Sequence, residues 1–125
     1  MTSTALNAST TAIRFGQGAN APTLFNSGSI AAGGNSDQAT SVVTAVQIDA
    51  GATVSSLNNG GKILATSRGG VADAYTIRDL SGSLTSITNT GSIQSLVGAN
   101  AANDPVTGVN TAIELAQKGL SVILL

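Results

Sequence analysis

The chain has 125 residues, of which 42% are hydrophobic, 9% charged and 2% aromatic, with a formal net charge of −1. Its basic residues, Arg14, Lys62, Arg68, Arg78 and Lys118, are scattered and form no patch suited to nucleic acid; no apolar run approaches the roughly 20 residues that span a bilayer. The absence of Cys and His excludes disulfides, thiolate zinc sites and the Ser-His-Asp and Cys-His constellations.

Residues 1–10 are polar, with neither the charged n-region nor the apolar h-region of a signal peptide, and read as a segment that precedes the repeats. From Thr11 onward an anchor phrase recurs: Thr11-Ala12-Ile13-Arg14-Phe15, Thr44-Ala45-Val46-Gln47-Ile48, Thr76-Ile77-Arg78-Asp79-Leu80 and Thr111-Ala112-Ile113-Glu114-Leu115. Ile13/Phe15 and Val46/Ile48 alternate with polar neighbours, which is strand periodicity with one buried face. Five residues after Ile13, Val46 and Ile77 comes a glycine (Gly18, Gly51, Gly82), then apolar residues three apart (Ala21 and Leu24, Val54 and Leu57, Leu84 and Ile87). The phrase L-x-N-x-G-x-I follows, as Leu24 to Ile30, Leu57 to Ile63 and, with Ile in first place, Ile87 to Ile93. The units are 11–43, 44–75, 76–110 and a partial 111–125. Only 111–118 has helix-forming composition. The third unit departs from the others, with Asp79 in the place of Phe15 and Ile48, Leu80 one residue late and one residue missing between Gly82 and Leu84; a bulge or a shifted register is expected there.

Ser/Gly/Asn-rich chains often stay disordered, but periodic placement of the hydrophobic residues argues for a fold. Self-similarity at tens of residues marks stacked repeats. Because the unit is too long for a hairpin and its strands recur in one direction, the expected fold is all-β: a right-handed parallel β-helix of about three and a half rungs of 30–36 residues, the rungs about 4.8 Å apart. Stacking places Asn26, Asn59 and Asn89 in an amide ladder. Gly28, Gly61 and Gly91 fall where a corner demands positive φ or close backbone approach. Arg14, Gln47, Arg78 and Glu114 form an outward column in which Arg78 pairs with Glu114.

The phrases GATVSSLNNGGKI and GSLTSITNTGSI resemble repeats of autotransporter passenger domains and related Gram-negative surface adhesins. The resemblance covers residues 11–125 and implies a secreted, cell-surface stalk or adhesin. That family's export signal and outer-membrane barrel have no counterpart in this sequence, so any export address is expected outside it.

Gly16-Gln17-Gly18-Ala19-Asn20-Ala21 fits a dinucleotide fingerprint superficially, yet Pro22 follows and no helix opens to receive a phosphate, so a plain turn is the better reading. Asp49 and Asp79 sit at nearly equivalent positions, as a glycosidase pair or a Ca²⁺ site requires; a solvated turn acid and a bulge acid are the bland alternatives. No catalytic residue, cofactor or metal ligand is assigned. Unit lengths vary between the motif Ile and the next anchor, which points to 31–41, 65–74 and 94–109 as loops on one face, a binding surface in many solenoids or merely tolerated insertions. The apolar segment 119–125 suggests strand edges open to self-association. The expected function is a non-enzymatic extracellular stalk or adhesin segment at the bacterial surface, with a host or cell-surface ligand. The alternatives are a subunit stacking end to end into a filament and, more remotely, a polysaccharide-active β-helix enzyme.

Overall fold

Ile13, Val46, Ile77 and Ile113 are in-register partners on four adjacent parallel strands, 33, 31 and 36 residues apart along the chain (46 − 13, 77 − 46, 113 − 77). They form the spine of a β-solenoid of about three turns. The computed structural model describes residues 1–116 and 121–124. The first sheet holds β1 (Thr2–Leu6), β4 (Ser29–Asn35), β7 (Lys62–Arg68) and β10 (Ser92–Gly98). The second holds β2 (Thr10–Phe15), β5 (Val42–Ile48), β8 (Asp73–Asp79) and β11 (Asn110–Leu115). The third holds β3 (Asn20–Asn26), β6 (Thr53–Asn59), β9 (Ser86–Asn89) and β12 (Ser121–Leu124). Each layer of the coil contributes one strand to every sheet, and all ladders are parallel.

Parallel in-register pairing puts like on like. Ile30, Ile63 and Ile93 make one inward column, and Leu24, Leu57 and Ile87 another. In the middle layers Val46, Ile48, Val54, Leu57, Ile63, Ile77, Leu84 and Ile87 are fully buried, each stabilising by roughly 1.5–3 kcal/mol relative to exposure. The i, i+3 spacing of Ala21/Leu24 and Val54/Leu57 follows from a break in the third sheet. Ladder pairing skips from Ala21↔Val54 to Thr23↔Ser56 at Pro22, which has no N–H to give. The two intervening residues face outward, where Thr23 Oγ1 and Ser56 Oγ lie 2.7 Å apart.

The segment 1–10, expected to precede the repeats, belongs to the coil: Thr2 to Leu6 pair with Ala31 to Asn35. Only Ser3 and Ala5 face inward in β1, so the segment has too little hydrophobic contrast to declare itself without β4. The helix-prone window 111–118 is likewise a strand through Leu115, because neighbouring β8 offers a ladder and propensity yields to it; Lys118 lies outside the described residues. Of the apolar tail, 121–124 form β12 on β9, while 119, 120 and 125 lie outside the described residues.

Asp79 corrects the expectation of a bulge or register shift. It pairs in register with Ile48 below and Leu115 above, and its side chain is completely buried in that hydrophobic column. The shortened corner turns on its carboxylate: Oδ1 accepts from Ser81 N (2.9 Å), Ser81 Oγ (2.6 Å) and Gly82 N (3.1 Å), and Oδ2 accepts from Leu84 N (3.2 Å). With one residue fewer, these amides take a side-chain acceptor. Leu80 consequently faces solvent at 41% exposure. Asp79→Asn replaces an acceptor oxygen by a donor against these N–H groups and should lower unfolding free energy by about 1.5–3 kcal/mol in urea titration; a loss below about 0.5 kcal/mol would show that the corner does not depend on the carboxylate.

Candidate functional site

Three corners connect the sheets, and each has its own chemistry. The corner from the third sheet back to the first is a two-residue turn in every described layer: Ser27 and Gly28, Gly60 and Gly61, Thr90 and Gly91. Here the expected amide ladder is present. Asn26 Nδ2 donates to Asn59 Oδ1 at 2.7 Å, and Asn59 Nδ2 to Asn89 Oδ1 at 2.7 Å. Each amide also reaches the carbonyl two residues on, in Gly28, Gly61 and Gly91. Asn26 and Asn59 further donate to Lys62 O and Ser92 O in the next layer. The ladder therefore closes the corner and locks consecutive layers together.

Of the three aligned glycines of this corner, Gly61 and Gly91 serve close approach, and Gly28, in the first layer, shows neither close approach nor positive φ. A Cβ on Gly61 would lie 2.0 Å from Gly28 O, and one on Gly91 1.9 Å from Gly61 O, whereas Gly28 has nothing within 4 Å. Positive φ occurs instead at the other two corners: at Gly18 (85°), Gly51 (84°) and Gly82 (71°) between the second and third sheets, and at Asn7 (49°), Gly69 (94°) and Gly70 (83°) between the first and second. The corner between the second and third sheets contains the dinucleotide-like Gly16-Gln17-Gly18, which is a turn with Gly18 N donating to Gly51 O at 3.0 Å.

The corner from the first sheet to the second carries the length variation, in residues 7–9, 36–41, 69–72 and 99–109. The loops expected at 31–41, 65–74 and 94–109 are shorter than that, since 31–35, 65–68, 73–74 and 94–98 are strand. Continuous pairing to the layers above and below extends the strands into this Gly/Ala/Ser-rich sequence. The loops bind one another across layers. Asp37 N donates to Asn7 Oδ1, Val42 N to Ser9 Oγ, Thr107 N and Gly108 N to Gly70 O, Val109 N to Asp73 Oδ1 (2.7 Å) and Asn100 Nδ2 to Asn35 Oδ1 (3.0 Å). This edge presents Asp37, Gln38, Asn100, Asp104 and Val106 to solvent.

The two acids proposed as a pair are not brought together. Asp79 points into the core, whereas Asp49 is one position further along its corner and lies outside, where Arg14 Nε (2.7 Å) and Gln47 Nε2 (2.7 Å) donate to it. Hydrogen bonds from Gln47 and then Arg14 hold the Asp49 carboxyl below its ordinary range. Among the described residues no group of three or more His, Cys, Asp or Glu is placed to hold a metal ion, and no helix is long and apolar enough to cross a membrane. The outward column is in the expected register, with Arg78 Nε donating to Glu114 Oε2 at 2.6 Å and its guanidinium stacked 4.4 Å from the Tyr75 ring centre. Phe25, which no repeat pattern singles out, is a lone aromatic in a column of Asn58, Thr88 and Ile123. It is 74% exposed and borders an open groove of about 300 Å³ lined also by Asn58, Thr88 and Thr90. Comparison with known proteins finds no matching family model, curated sequence or solved structure.

Three outcomes follow from these corners. Asn59→Ala removes the middle of the ladder, leaves Asn89 Oδ1 and Ser92 O without their donor, and should cost on the order of 1–3 kcal/mol by chemical denaturation. Gly61→Ala should destabilise by more than ~2 kcal/mol while Gly28→Ala is near neutral; equal effects would contradict the close approach. Because the folded pKa of Asp49 is depressed, its contribution to stability is present above the unfolded carboxyl pKa and is lost as pH falls through the folded value. Carboxyl NMR titrations should show its midpoint rising in Gln47→Ala and in Arg14→Ala; an unmoved midpoint in both would mean that neither bond forms in solution.

Proposed function

We propose that this chain is a non-enzymatic structural segment of an extracellular bacterial surface protein, a stalk that presents the variable corner to a host or neighbouring cell surface. The observation that carries this reading is the division of labour among corners. The Asn/Gly corner repeats with constant length, and from the column of Phe15, Ile48 and Asp79 to that of Thr23, Ser56 and Ser86 the chain takes eight, eight and seven residues (23 − 15, 56 − 48, 86 − 79), while insertions collect at the corner that holds 36–41, 69–72 and 99–109. A rigid scaffold bearing variable loops along one edge is an arrangement in which loops carry recognition. The surface location is supported by the likeness of the Asn-Gly phrases to adhesin repeats.

Replacing residues 99–109 by a short turn like 69–72 tests it. Fluorescently labelled chain should bind intact cells, and the shortened variant should lose that binding while retaining its β-rich circular dichroism and unfolding midpoint. Undiminished binding by the shortened variant would move recognition away from this corner; no binding by the parent chain would remove the adhesive role.

A further inference from the structure

Layer one and layer four of the coil are complementary to each other. In the second sheet, in-register pairing runs Thr11–Thr44–Tyr75–Thr111, Ile13–Val46–Ile77–Ile113, Arg14–Gln47–Arg78–Glu114 and Phe15–Ile48–Asp79–Leu115. The inward members of the middle layers are fully buried, but Ile13 and Phe15 in layer one, and Ile93, Val97, Ile113 and Leu115 in layer four, are only partly so. Among the described residues, β2 and β11 stand at opposite edges of their sheet, as do β1 and β10 in the first sheet and β3 and β12 in the third. Each outer layer thus presents an apolar cross-section together with unpaired strand edges, which are templates for another strand.

We propose that layer four of one copy docks head to tail on layer one of a second copy, so that all three sheets continue through the junction. The operation is the one that already relates adjacent layers within the chain. It sets Ile113 on Ile13 and Leu115 on Phe15, covering apolar side chains at both outer layers. Charge follows the same register: Glu114, already bonded to Arg78, meets Arg14 of the second copy, which is already bonded to Asp49. Acid and base therefore alternate across the junction. A copy approaching in the reverse orientation would run its strands antiparallel and break every column. Head-to-tail contact is heterologous and does not close on itself, so the product is a rod that lengthens with concentration.

The test uses Thr11→Cys and Thr111→Cys together. Within one copy these positions are three layers, about 14 Å, apart, beyond the roughly 7 Å limit for a disulfide; across the junction they are adjacent. Oxidation of the double variant should give a covalent ladder of many copies, each single variant should give dimers at most, and the unsubstituted chain should sediment with a mass that rises with concentration and appear as rods by negative stain. The proposal is overturned if the unsubstituted chain stays monomeric at every concentration and the double variant does not crosslink. It is equally overturned if Thr111→Cys alone dimerises as efficiently as the double variant oligomerises, since that is contact between two fourth layers. A monomer would remove the docking and leave the stalk reading standing, because loop-dependent cell binding is measured separately.

Discussion

Everything in this molecule follows from parallel, in-register stacking at a spacing of about 4.8 Å. Once one layer sits on another, the residue at a given position has its own counterpart as nearest neighbour, and each column must be self-compatible. Aliphatic columns satisfy this by packing, as in Ile30, Ile63 and Ile93. Asn satisfies it because an amide both donates and accepts, so Asn26, Asn59 and Asn89 bond in series. Charge satisfies it only by alternation, and the Arg14, Gln47, Arg78 and Glu114 column never sets like charges on adjacent layers. Such exposed ion pairs add roughly 0–1 kcal/mol each; the burial of the aliphatic columns sets the stability.

The same constraint explains what was legible in the sequence. Columns with a strong chemical signature were found at the right spacing, and with them the fold, the ladder and the Arg78–Glu114 pair. Features decided between layers were not. Thr2–Leu6 has no amphipathic signal of its own and is a strand because β4 lies beside it. Asp79 reads as an intruder in an aliphatic column, since only the folded corner shows the four hydrogen bonds its carboxylate receives. Gly28, Gly61 and Gly91 share one corner, yet only Gly61 and Gly91 meet a neighbouring backbone there, and which corner needs positive φ and which needs contact between backbones depends on distances that a pattern does not contain. The loop bounds failed for a related reason: 31–35 is Ala-Ala-Gly-Gly-Asn and resembles a loop, yet a continuous ladder on β7 makes it strand, as a second one does for 94–98.

The candidate recognition edge was visible only as a difference in lengths. Its chemistry comes from contacts of its loops with loops and strand ends of other layers, such as Asn100 with Asn35 at the end of β4, separated by 65 residues. Phe25 carries no sequence signal because a single outward aromatic breaks no repeat: its column partners Asn58 and Thr88 occupy one of the three variable positions of the Asn phrase.

The amide ladder also has a direction. Asn26 donates to Asn59 and Asn59 to Asn89, always toward the higher-numbered layer, and the register partner of Asn89 at position 124 is a leucine, where the series stops. Each link is chemically identical to the next, so copying one whole period, from one Asn to the next, would splice in a layer without creating any new kind of contact. An insertion of any other length within the strands would misalign every column beyond it. The length of such a chain can therefore change in whole layers or at a corner, as it does by one residue after Asp79 and by several in 99–109, but not within the strands, and gene duplication within the repeat becomes the natural way for it to grow.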